Sequence, residues 1–216
     1  MKQEIAVIGL GKFGFYFAKT LAELGFPVIG IDSRPARVQL AKDSLTKVYR
    51  ADANTVEALE QLGLRGISYV LVSVGDSIAA SSMISMYLKE LDVEQVWVKA
   101  VSPEHQRLLY KLGVDTVIIP EQLAAVQLAS KVAIPGFLQY AAFDPELCFQ
   151  ELVVDEWAGK DLRHLNLPHK KNVMVISIRR KDDDQGSVIP NAEYVLQKGD
   201  RLIVMRKTND NKEIKA

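Results

Sequence analysis

GLGKFG, residues 9–14, follows the apolar run Ile5–Ile8 and opens a helix-like pattern, and its glycines stand at positions 9, 11 and 14. That spacing lets a strand turn sharply into a helix while the backbone comes close to a phosphate. Downstream, Phe13, Phe17, Leu21 and Leu24 recur at intervals of four, four and three, which marks one helical face, and Gly25 closes it. Six apolar runs, EIAVIG, PVIGID, KVYRAD, YVLVSVG, QVWVKA and DTVIIP, recur about every 20–25 residues up to Pro120, as strand plus crossover helix requires. Ala6, Val7 and Ile8, and again Val70, Leu71 and Val72, are apolar on both faces, which belongs to a parallel sheet covered by helices. The expected fold class is α/β: a Rossmann-like, doubly wound parallel sheet, with a ligand crevice at the carboxyl ends of its strands.

After Pro120 the run EQLAAVQLASKVAI leaves only a narrow polar stripe of Gln127, Ser130 and Lys131. A helix apolar nearly all round must be buried nearly all round, and one sheet face cannot cover it, so a second subunit or a second lobe is expected there. Pro135 and Gly136 end that helix, and residues 135–147 read as a linker. Beyond it lie the short strand-like runs CFQELVV, NVMVISIRR and DRLIVMR, with a polar loop at Asp182, Asp183, Asp184, Gln185 and Gly186 and a turn at Lys198, Gly199 and Asp200. The expected organisation is a nucleotide-binding domain over 1–134, the linker, and a smaller α+β domain over 148–216 whose polar end, Asn209 to Ala216, frays.

The 216 residues balance 27 basic against 27 acidic side chains, which argues against a general grip on nucleic acid or anionic lipid. A DNA-reading helix with a basic face is not in evidence either, so nucleic acid is not an expected partner. The single cysteine, Cys148, fits a reducing compartment, no apolar run is long enough to span a bilayer, and the start MKQEIAVIGL carries no signal pattern. The expectation is a soluble, cytoplasmic protein.

Three contexts support nucleotide binding: a strand before the glycines, a helix after them, and Asp32 closing the next strand 18 residues past Gly14, where a carboxylate meets a ribose hydroxyl. Asp32 disfavours a 2′-phosphate by repulsion, an effect softened by Arg34 and Arg37. Lys12 sets a cation inside the loop, against the helix macrodipole, which points to a phosphate role in its own subunit or a neighbour's. Asp52 either approaches an adenine or caps the helix beginning at Asn54 and Thr55. Ser77, Ser81 and Ser82 lack a nucleophile elbow and read as helix-capping residues. His105, His164 and His169 show no metal spacing with one another or with Cys148. Glu121, at the start of the apolar helix, complements its N-terminus or serves a ligand. No catalytic group emerges, so an enzyme is not expected; the alternative is an NAD-dependent oxidoreductase, which needs a catalytic acid and a substrate pocket.

VIGLGKFG, VIGID, ADAN, YVLVSVGDSIAAS, QVWVKA and LGVDTVIIPE together resemble the regulator-of-potassium-conductance (RCK) domains of the Ktr and Trk potassium uptake systems. LRHLNLP, VMVISIRR, Ile189-Pro190-Asn191, and Leu196 to Asp200 followed by RLIVM resemble the C-terminal domain of the same proteins. The resemblance covers nearly the whole chain, and one N-domain with one C-domain fits the Ktr-type gating subunit. It implies a cytoplasmic homo-oligomer, an octameric ring, docked beneath a membrane-embedded potassium-translocating subunit. It implies ATP or ADP at the glycine loop, with NAD(H) as the alternative, and a cofactor-binding set of Gly9, Gly11, Lys12, Phe13, Gly14, Asp32, Ser33, Arg34, Asp52, Ala53 and Lys99. Lys12 stands where the family often has an arginine that reaches phosphates across a subunit boundary; it keeps the charge and loses the bidentate fork. The resemblance further implies a cation, monovalent or divalent, at Glu121, a subunit-pairing role for the apolar helix, and cyclic di-AMP binding in the C-terminal domain near Arg179, Pro190 and Asn191.

Overall fold

The computed structural model of the protein describes residues 3–74, 77–141, 144–181, 188–208 and 216. They separate into two compact units, Met1–Gln122 and Leu123–Ala216. The first alternates strand and helix: β1 (Ile5–Ile8), α1 (Lys12–Glu23), β2 (Val28–Asp32), α2 (Pro35–Ala41), β3 (Lys47–Arg50), α3 (Val56–Gln61), β4 (Tyr69–Val72), α4 (Ile78–Glu90), β5 (Gln95–Lys99), α5 (Pro103–Lys111) and β6 (Thr116–Ile118). All six apolar runs of the sequence are strands. They pair in parallel in the order β3-β2-β1-β4-β5-β6, the doubly wound arrangement. Its switch point falls between β1 and β4, where the chain turns first to one side of the sheet and then to the other.

Both faces of the sheet are covered, as the apolar runs of the sequence require. Ala6, Ile8, Val70 and Val72 pack under Leu59, Ile84, Leu88 and Leu109 of α3, α4 and α5. Val7, Val28 and Leu71 pack on the other face against Phe13, Phe17 and Leu21 of α1 and Ala41 of α2. Leu24, assigned to that helical face by spacing, is instead the exposed C-cap, because the chain leaves helical geometry there to turn at Gly25.

The second unit is a four-stranded antiparallel sheet in the order β7-β8-β10-β9, built from β7 (Phe137–Ala141), β8 (Asp144–Val153), β9 (Val173–Arg179) and β10 (Arg201–Lys207). Two short helices, α7 (Leu162–Leu165) and α8 (Leu167–Lys171), complete an α+β lobe. Trp157, Leu167, Val173, Ile178, Leu196 and Leu202 form its core. The reading of residues 135–147 as a linker is corrected here, since they contain β7 and the start of β8. The register of β7 against β8 shifts twice in five residues, so the strand shows no period-two pattern to read. Ala216 is also not frayed: it is buried, and its carbonyl accepts the N–H groups of Asp155 and Glu156 at 2.6 and 2.8 Å. Residues 209–215 and the loop expected at 182–186 lie outside the described residues.

The apolar helix is α6 (Pro120–Ala133), and the boundary between the two units falls inside it rather than at residue 134. In the single chain its apolar side chains are exposed, with Leu123 at 62%, Leu128 at 63% and Val132 at 89%. Within the second unit its Ser130 meets the Tyr140 hydroxyl at 2.5 Å.

Four helix ends in the first unit share one device. At the end of α4, Asp92 N–H bonds Lys89 O and Val93 N–H bonds Leu88 O, both at 3.2 Å, with Asp92 in the left-handed region at φ 55°. The same paired bonds close α1, α3 and α5, where glycine (Gly25, Gly63, Gly113) holds the corresponding position. Asp92 is exposed, and its charge also opposes the helix C-terminus. Asp92→Gly is therefore expected to stabilise the protein by roughly 0.5–1 kcal/mol in denaturant unfolding; unchanged or lower stability contradicts this reading of the cap.

Candidate functional site

The site grows from the loop between β1 and α1. Gly9 takes φ +94°, its N–H bonds Ile31 O at 2.7 Å, and a Cβ there would lie 2.2 Å from Ser73 O in the loop after β4. A Cβ on Gly14 would lie 2.0 Å from Gly9 O. Any side chain at either position therefore forces the loop open. Gly11 is the N-cap of α1 and has no side chain to cap it, so the first N–H groups of α1 remain without a side-chain acceptor. That is the elementary form of an anion cradle.

Asp32 ends β2 and is buried to 5% exposure. One carboxylate oxygen accepts Leu10 N–H at 2.8 Å and the other accepts Arg34 N–H at 2.9 Å. Arg37 Nη1 approaches at 3.4 Å. Asp32 thus ties the glycine loop to β2 while still lining a cleft of about 240 Å³ at the carboxyl ends of the strands. The cleft wall combines Gly9 with Asp32, Ser33 and Arg34 after β2, with Asp52, Ala53 and Asn54 after β3, and with Val74, Ser77 and Ala80 leading into α4. The lining sets Asp32 and Asp52 against Arg34 and Arg37, so what favours an anion comes from the helix N-termini. The first turns of α1, α2 and α4 carry no acidic residue, whereas those of α3, α5 and α6 carry Glu57, Glu104 and Glu121.

Of the residues singled out by sequence, Gly9, Asp32, Ser33, Arg34, Asp52 and Ala53 line this cleft. Gly11 and Gly14 shape its loop, while the Phe13 ring packs against Phe17 and the core, so only its backbone N–H is left as a donor. Lys12 is exposed at the start of α1 and has no ion-pair partner among the described residues. Asp52 accepts from Asn54 N–H and Asn54 Nδ2, a local turn; the cap of α3 is Thr55. Ser77 caps α4 as expected, but Ser81 lies inside α4 and bonds elsewhere, and Ser82 Oγ is buried without a partner among the described residues. Lys99 lies away from the described cleft lining and pairs with Glu121 at 2.7 Å, and that contact holds the Glu121 carboxyl below its ordinary range. No group of three metal-ligating side chains exists among the described residues. In the second unit, Pro190 and Asn191 line a groove of about 210 Å³ with Arg163, Leu162, Leu167 and Met174; Arg179 is not among the lining residues described. Arg37, which the sequence reading set with Arg34 beside Asp32, also lines the main cleft; its approach to Gly11 is the part that the sequence reading did not anticipate.

Residues 5–120 match the TrkA-N domain and residues 150–216 match the TrkA-C domain. The chain belongs to the TrkA-N/TrkA-C family. It is 31% identical to Ktr system potassium uptake protein A of Bacillus subtilis (strain 168), over 97% of this chain and 94% of the relative. It is 32% identical to Ktr system potassium uptake protein C of the same organism, over 97% and 95%. These relatives, matched over nearly their full length, are named as potassium uptake proteins rather than as oxidoreductases. Among solved structures the fold is similar to the GsuK channel bound to NAD (TM-score 0.55, 21% identity, 97% of this chain and 37% of that one). It is also similar to GsuK bound to ADP (TM-score 0.53, 23% identity, 60% of this chain and 34% of that one). The chain spans about a third of those channel chains, and at such identities the likeness is one of fold.

The TrkA-N unit of this chain carries one buried titratable network beside its cleft. His105, 2% exposed, accepts Val101 N–H through Nδ1 at 3.3 Å, which places the ring proton on Nε2, 3.1 Å from Ser81 Oγ. Ser81 in turn donates to the carbonyl of Ser77, the cap of α4, at 2.9 Å. Burial lowers the pKa of His105 below its ordinary value. A second proton would turn Nδ1 into a donor facing a donor. With the folded value below the unfolded one, this contribution to stability is complete above the unfolded pKa of about 6.5 and is lost as pH falls from there toward the folded value. The expected outcome is a melting temperature that drops as pH falls below about 6.5, with a shallower drop in His105→Gln; equal slopes in the two proteins contradict the assignment.

Proposed function

We propose that the chain is the nucleotide-responsive regulatory subunit of a potassium uptake system, acting from the cytoplasmic side on a membrane-embedded potassium-translocating partner. The observation that carries this reading is the cleft at the switch point, in a chain of a potassium uptake family: a capless glycine turn, a buried carboxylate at the ribose position, and three helix N-termini free of acidic first-turn residues. The ligand is an adenine nucleotide, ATP or ADP, with NAD(H) as the second choice; structures of the GsuK channel with NAD and with ADP support both. The glycine loop, with Phe13 through its N–H, takes the phosphates, Asp32, Ser33 and Arg34 take the ribose, and Asp52 and Ala53 take the base. Lys99 acts at the rim through Glu121. No helix among the described residues is long and apolar enough to cross a membrane, so contact with the membrane runs through the partner.

Assembly completes the device. The exposed Leu123, Leu128 and Val132 of α6 are the surface on which a second copy packs, within a homo-oligomer read as an octameric ring. Glu121, at the start of that helix, is the candidate cation ligand when two copies bring two carboxylates together and Lys99 gives way. The groove at Pro190 and Asn191 is the candidate seat of cyclic di-AMP. Gating follows from differential binding: a ligand shifts the ring only as far as its affinities for the two shapes differ. Lys12, a cation unpaired among the described residues at the mouth of the loop, is the group that a third phosphate of a neighbouring subunit's ATP meets and ADP does not reach.

Native mass spectrometry of the purified protein is expected to show an even-numbered homo-oligomer carrying adenine nucleotide; a bare monomer overturns the proposal. Lys12→Ala is expected to weaken ATP more than ADP, by roughly tenfold for loss of one charge-assisted contact, in calorimetric titration. Equal losses for the two ligands remove Lys12 from the discriminating role.

A further inference from the structure

Arg37 is, with Arg34, one of two cations already lining the described cleft. It stands in the first turn of α2, where no acidic residue offsets it and the macrodipole disfavours its charge. Its Nη1 is 3.4 Å from Asp32 Oδ2, longer than the 2.7–2.9 Å typical of charge-assisted bonds. Asp32 does not depend on it, because Leu10 N–H and Arg34 N–H already supply both oxygens with shorter bonds. The same guanidinium lies against the glycine loop: a methyl group at Gly11 would come within 3.3 Å of Nη1 and 3.8 Å of Cζ and Nη2. Space beside the middle glycine of such a loop is where backbone and phosphate approach each other. The side chain is one-third exposed, 33%, and therefore free to re-aim.

We propose that Arg37 is the phosphate-binding cation supplied by the nucleotide's own subunit, and that it engages the phosphates nearest the ribose. The inference rests on the nucleotide reading above and deepens it. A guanidinium carries five donors in a fork, so one edge keeps its contact with Asp32 while the other meets a phosphate oxygen. The ribose carboxylate and the phosphate are thereby joined through one side chain. The phosphates concerned are common to ADP, ATP and dinucleotides, so Arg37 sets affinity for the whole class. Discrimination among its members is left to groups farther out, such as Lys12.

The test is titration of the full chain with ADP, ATP and adenosine, for the wild type, Arg37→Lys and Arg37→Ala, at two salt concentrations. Arg37→Ala is expected to weaken ADP and ATP alike by roughly 10- to 100-fold, to leave adenosine unchanged, and to flatten the salt dependence; Arg37→Lys recovers part of the loss. Unchanged ADP affinity overturns the inference, and so does an ADP loss with undiminished salt dependence, which marks a merely structural role at Asp32. If adenosine binds too weakly to measure, the salt slope and the lysine rescue decide. A wild type that binds none of the three defeats the nucleotide reading itself, an outcome distinct from wild-type binding that ignores Arg37.

Discussion

The hydrogen bond from Leu10 N–H to the buried Asp32 carboxylate is the constraint on which the rest of the site depends. It fixes the glycine loop of β1 against the end of β2, and Arg34 N–H on the second oxygen fixes the start of α2 to the same group. A buried carboxylate with two short backbone donors contributes on the order of 1.5–3 kcal/mol per bond, and its removal leaves those donors unsatisfied. One residue therefore sets the loop's shape and also presents charge to whatever enters the cleft. Residues 33–37, the turn that carries both cleft arginines, stay in place through it.

Short-range patterns made much of this legible in the sequence. The six parallel strands announce themselves by two-faced apolar runs, and the loop by glycine spacing, because both are written within a few residues. Asp32 follows from its place at the next strand end. The strand β7 was hidden because its bulged pairing breaks the alternation that a reader looks for. The approach of Arg37 to Gly11, the pairing of Lys99 with Glu121 across 22 residues, and the contact of His105 with Ser81 all depend on how helices settle on the sheet. No local period encodes such approaches. Arg37, Lys99 and Glu121 could be named from the sequence as residues of interest, but not the contacts they make.

The apolar helix α6 shows where composition and a single chain part company. Its makeup demands burial, yet Leu123, Leu128 and Val132 face solvent. The rule that an all-round apolar helix is buried leaves this face without a cover in the single chain, and the proposed homo-oligomer is what would satisfy it. Leaving these side chains wet is unfavourable by about 25 cal/mol per Å² of apolar area, which is the driving force available to a second copy.

In the proposed function two cations at different depths divide the work of a sensor. A group that meets the part shared by two ligands strengthens both equally and cannot shift an equilibrium between conformations through the exchange of one for the other. On the proposed assignment Arg37, over the loop's middle glycine and beside Asp32, is such a group. Only a charge placed where one ligand ends and the other continues can read the difference, and it must belong to a surface that moves. Lys12 is exposed at the loop's mouth rather than packed in the cleft. A lysine is a compact point charge without a planar fork, so its contact fixes distance more than orientation. Affinity built deep in one subunit and discrimination built at the rim are then separable, which lets the resting occupancy of the site stay high while the signal comes from which nucleotide fills it.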